Sequence, residues 1–97
     1  MRHQTHSLNV VQGATGVGTA QKTLDLVDKW LQVDGIAGGC VIELQGRISA
    51  TWVVLVVLNT DTLVEVPEAV SWVRTNRTTQ GTGNPTLTLA GRDARSD

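Results

Sequence analysis

Tyrosine and phenylalanine are both missing from this chain, proline occurs twice, cysteine once, and neither sign of charge dominates. Each shortage excludes something. A single cysteine, Cys40, cannot close an internal disulfide, and no Cys/His spacing matches a zinc site. Eight Lys and Arg against nine Asp and Glu leave a formal charge of −1, without the clustered basic surface of a dedicated nucleic-acid binder. The opening "MRHQTHSLNV" has no apolar stretch of the signal-peptide kind, so synthesis and folding in the cytoplasm are expected. Long apolar runs are missing too. The longest, Trp52–Leu58, holds seven residues, whereas a membrane helix needs about 20.

What is present is β-forming. Four of those seven residues are Val, which is stiff at χ1 and suits a pleated surface, and the run reads as a strand reaching about 23 Å. Asn59 to Thr62 supply a turn after it. Strict alternation puts Trp52, Val54, Val56 and Leu58 on one face and Val53, Leu55 and Val57 on the other. Both faces are apolar, so one enters the core and the second is covered by an arm or by another subunit.

Further segments alternate more cleanly. Cys40, Ile42 and Leu44 turn inward against Val41, Glu43 and Gln45; Leu87 and Leu89 oppose Thr86, Thr88 and Ala90; Trp72, Arg74 and Asn76 oppose Val73, Thr75 and Arg77. Leu8 and Val10 mark a strand over Ser7–Val11, and Leu63–Val66 one that ends at Pro67. "LDLVDKWLQV" also fits a short amphipathic helix, but Asp28-Lys29 reads as a hairpin break between two strands, Gln21–Val27 and Lys29–Val33. The expectation is an all-β, single-domain antiparallel β-sandwich, jelly-roll-like, with seven or eight short strands at 8–12-residue spacing. Residues 1–6 are expected to form a flexible arm, 7–91 the sandwich domain, and 92–97 a flexible tail.

Chemistry finds no foothold. "GATGVG" (Gly13–Gly18) lacks the Lys and the strand-to-helix setting of a phosphate loop. His3 and His6 lie in the arm. The sequon Asn76-Arg77-Thr78 has no secretory context. Asp25, Asp28, Glu43, Glu65 and Glu68 form no pair placed for acid–base work, and no serine sits in a nucleophile elbow. No catalytic residue, cofactor or metal is expected. Of the three tryptophans, Trp52 reads as core, while Trp30 and Trp72 share strand faces with Gln32 and Arg74 and could pack into a partner or stack on a sugar.

The order "VDG" (Val33–Gly35), "CVIELQGRISATWVVL" (Cys40–Leu55), "VEVPEAVSWVRTNRTTQGTG" (Val64–Gly83) and "PTLTLAGR" (Pro85–Arg92) resembles small β-sandwich proteins of tailed-bacteriophage virions. It departs from them at Ile48–Thr51, where "ISAT" stands in place of an Asp/Gly-rich turn. The resemblance covers about the last two thirds of the chain and implies a non-enzymatic virion protein made in the bacterial cytoplasm. Its head-decoration members sit as oligomers, trimers among them, and cement the shell by bridging capsid subunits. On that basis the partners are further copies of the chain and the major capsid protein, with no nucleic acid and no membrane. Val53, Leu55, Val57, Trp30 and Trp72 are expected at the interface, and Arg2, His3 and His6 as arm contacts. The alternatives are a receptor- or glycan-binding module of a tail or fibre, built on Trp30 and Trp72, and a tail or neck adaptor.

Overall fold

The computed structural model describes residues 3–93. They form nine strands and no helix: β1 (His3–Leu8), β2 (Gly16–Val17), β3 (Gln21–Lys22), β4 (Leu26–Asp34), β5 (Val41–Arg47), β6 (Val53–Leu58), β7 (Thr62–Glu65), β8 (Trp72–Thr79) and β9 (Thr86–Asp93). All pairings are antiparallel. One sheet has the order β1-β9-β4-β7; the other runs β2-β8-β5-β6, with β3 also on β8. The chain is an all-β sandwich. Only the β2–β3 and β5–β6 connections stay within one sheet; the other links cross between the layers, so the core closes through contacts distant in sequence.

Inward positions follow the alternation of the longer strands. Leu31 and Val33 of β4, Ile42 and Leu44 of β5, Val73 of β8, and Leu87 and Leu89 of β9 are all buried in one cluster, each burial worth roughly 1.5–3 kcal/mol. Cys40 is a fully buried free thiol in the same cluster. At its edge Gly81, with φ +58°, passes so close that a Cβ there would lie 2.2 Å from the Cys40 amide nitrogen.

The strands number nine in place of seven or eight, and the chain departs from its expected course at both ends and at Asp28-Lys29. Residues 3–6 are not an arm: His3–Leu8 pairs along its whole length with β9, His3 opposite Arg92 and Leu8 opposite Leu87. The alternation of "HQTHSL" is polar, so the apolar pattern alone did not reveal it. At the other end β9 runs on to Asp93; Arg2 and residues 94–97 lie outside the described residues. Lastly, Asp28-Lys29 is no hairpin break. It is a β-bulge inside the continuous β4, with Asp28 at φ 51° and its carboxylate paired to Arg92.

That bulge turns Lys29 inward. Its side chain is fully buried, and the ammonium donates to the Glu68 carbonyl oxygen at 3.1 Å and to that of Val70 at 2.9 Å. Burial pushes its pKa below the usual 10.5, and the Glu68 charge partly opposes this. Arg77, inward on β8, is buried as well. Its guanidinium donates to the carbonyls of Val11 at 3.0 Å, Gly83 at 3.3 Å and Gln80, fastening the β1–β2 and β8–β9 loops to one end of the sandwich.

Two outcomes follow for stability. Arg77→Met leaves these carbonyls unpaired and should lower unfolding free energy by about 3–5 kcal/mol in urea titration; an unchanged midpoint contradicts the role given to Arg77. Between the lowered folded pKa of Lys29 and 10.5 the unfolded chain holds more protons, so stability from this group rises with pH across that window. The midpoint of the wild type should therefore gain on that of Lys29→Met as pH climbs from neutral toward 10.5, and a constant gap would contradict it.

Candidate functional site

The apolar run becomes β6, an edge strand paired only to β5 among the described residues. Directly opposite residues of an antiparallel pair share a face, so the faces of β6 can be read from β5. Leu58 opposes inward Ile42, Val56 opposes inward Leu44, and Val53 opposes Gly46, next on that face. Val57 opposes Glu43 and Val54 opposes Gln45, on the outer face. Leu55 falls in a bulge, where the register shifts between Leu44 and Gln45. It packs against the core, and a Cβ on Gly46 would lie 2.7 Å from its Cδ1.

Strict alternation is thus broken. The sequence-based set Val53, Leu55 and Val57 is not one face: Leu55 is half-buried on the core side, Val57 points outward, and Val53 lies on the inner side but at its open end. Val53, Val54 and Val57 remain 57%, 44% and 53% exposed, while Leu58 is 2% exposed. Below Val53 an open notch of about 260 Å³ is lined by Gly46, Ile48, Ser49, Leu55 and Val70. Nothing in a seven-residue apolar run signals a bulge; the only cue is Gly46, which leaves room opposite.

Trp52, expected in the core, is not there. It lies half-buried on the outer face of the second sheet. Arg47 stands between two indoles, its guanidinium 4.8 Å from the ring centre of Trp52 and 5.5 Å from that of Trp72, and Arg74 sits 4.3 Å from Trp52. Cation–π attraction holds this row across the sheet. A polar chain continues it: Arg74 Nε donates to Gln45 Oε1 at 2.7 Å, while Gln45 Nε2 and Asn76 Nδ2 donate to Glu43 Oε1 at 3.1 and 3.3 Å. Arg47 Nε is buried without a hydrogen-bond partner.

The two candidate stacking tryptophans lie on different sheets. Trp72 belongs to this row on the second sheet, whereas Trp30 is 41% exposed on the outer face of the first, diagonal to exposed Leu63 on β7. Trp30 and Trp72 therefore do not share one surface. His3 and His6, an odd spacing apart on β1, point to opposite faces. Among the described residues no three His, Cys, Asp or Glu side chains gather to hold a metal ion.

The face offers a cationic and aromatic surface beside a bare valine edge. Arg47→Ala should lower stability by about 1–2 kcal/mol and change tryptophan emission, and Arg47→Lys should restore the emission only in part, because an ammonium lacks the planar stacking surface. Emission unchanged in Arg47→Ala contradicts the stacked row. No family model matches the chain, and neither a curated protein nor a solved structure does.

Proposed function

We propose that this protein is a non-enzymatic structural subunit that acts by associating with copies of itself, as a decoration or cement protein on the head of a tailed bacteriophage. The observation that carries the reading is β6: an uncharged edge strand with Val53, Val54 and Val57 each about half exposed. Burying one such side chain is worth roughly 1.5–3 kcal/mol, against a total stability of about 5–15 kcal/mol for a domain. Left in water, the same segment is an aggregation hazard. A closed oligomer removes both costs at once. The virion setting rests on the resemblance of the strand-and-turn motifs from Val33 to Arg92, and the major capsid protein is the second partner under this reading.

Position in the particle follows from stoichiometry. Quantified against the major capsid protein in purified virions, a shell subunit should be present on the order of hundreds of copies; about six or twelve copies would place it in tail or neck instead. Its absence from virions altogether would overturn the reading.

A further inference from the structure

Among the described residues the sandwich has four sheet edges, and they are not alike. β1 reads His-Gln-Thr-His-Ser-Leu and is polar on its outward positions. The β2–β3 edge is two dipeptide strands interrupted at 18–20 and ends in Lys22. β7 is four residues long, carries Glu65 and is followed two residues later by Pro67. These are the usual ways in which edges are blunted against pairing. β6 has neither charge nor proline: it is six residues, Val-Val-Leu-Val-Val-Leu, and its one irregularity is the bulge at Leu55.

The bulge gives this edge a second property. Read from the register with β5 and the packing of Leu55, the faces from Val53 to Leu58 run in, out, in, in, out, in. That order is the same in both directions. When two antiparallel strands meet, opposite residues must lie on the same side of the joint sheet. A two-fold axis between Leu55 and Val56 satisfies this for all six residues. Val53 then opposes Leu58 of the partner, Leu55 opposes Val56, and exposed Val54 opposes exposed Val57. Shifting the axis by half a residue either way sets Val54 against Val56 or Leu55 against Val57, which lie on opposite faces. Moving it to Val54 or Val57 keeps only three residues in agreement.

We infer that the occupant of the β6 edge is β6 of a second copy, joined antiparallel about that axis, so that two five-stranded sheets become one. Val54 and Val57 of both copies form a four-valine cluster on the outer face, with the Glu43–Gln45 pairs flanking it and no charged side chain inside it. The inference deepens the self-association reading and rests on it. A two-fold gives an even number of copies in place of the trimer that the resemblance implies.

The test uses the full chain and cysteines placed at the two exposed outer positions, since Cys40 is buried. Opposite residues in an antiparallel pair stand about 4.5–5.5 Å apart at Cα, within disulfide reach. Mixing Val54→Cys with Val57→Cys chains under mild oxidation should give a disulfide-linked pair containing one of each. Either variant alone should give little, because like positions lie about 10 Å apart along the strands. Val57→Lys should keep the far-ultraviolet circular dichroism of the wild type, its side chain being in solvent, while light scattering falls from twice the 10.4 kDa chain mass to the mass of one chain. An oligomer that survives Val57→Lys, or that cross-links as well within Val54→Cys alone, overturns edge pairing and leaves self-association standing. A wild type of single-chain mass at micromolar concentration overturns both.

Discussion

Gly46 has no side chain, and the space this leaves is taken by Leu55 from the neighbouring strand. Much of the molecule's surface character depends on that exchange. With Leu55 drawn into the core, β6 gains a residue relative to β5, and its later residues change faces. Val56 goes in and Val57 goes out, where strict alternation has the reverse. A Cβ at position 46 would meet Leu55 at 2.7 Å and Val70 at 2.9 Å, so a side chain there would displace the bulge or the valine behind it. The bulge thus decides which valines reach water and makes the strand's facing pattern symmetrical.

The same economy of small irregularities appears on the other sheet. A bulge at Asp28 brings an ammonium into the core, where two carbonyl oxygens of the β7–β8 link receive it. Arg77 does the corresponding work at the loops through Val11, Gln80 and Gly83. Among the described residues neither cation meets a buried carboxylate. Backbone dipoles carry the compensation, which fixes loop positions because carbonyls, unlike side chains, cannot move without the chain. Six of the links between strands cross from one sheet to the other, so such fastenings hold together segments that the local sequence does not.

Much of this architecture is legible in the residues, because an alternating strand states its own faces. Ile42 and Leu44, Val73 and Thr75, and Leu87 and Leu89 all point inward as their spacing says. What resists reading is whatever interrupts the period. The bulges at Asp28 and Leu55 shift every later residue by one, and a pattern that is apolar on both sides, as in Trp52–Leu58, carries no internal mark of the shift. Arg77 and Lys29 are hidden for another reason: charge predicts solvent, and only the tertiary fold supplies the carbonyls that make their burial tolerable. Trp52 reads as core because it heads an apolar run, yet its partners Arg47 and Arg74 come from two other segments of the sheet. His3 to His6 form a strand without an apolar signal, since β9 supplies the pairing.

Of the four edges among the described residues, β6 is the one proposed to pair with another copy. Amide hydrogen exchange at several protein concentrations addresses it directly, because an uncovered edge exposes alternate amides to water and a paired edge does not. Protection across Val53–Leu58 should rise with protein concentration while β1, β3 and β7 stay unchanged. Protection at β6 that is independent of concentration, or that rises instead at another edge, would contradict the account.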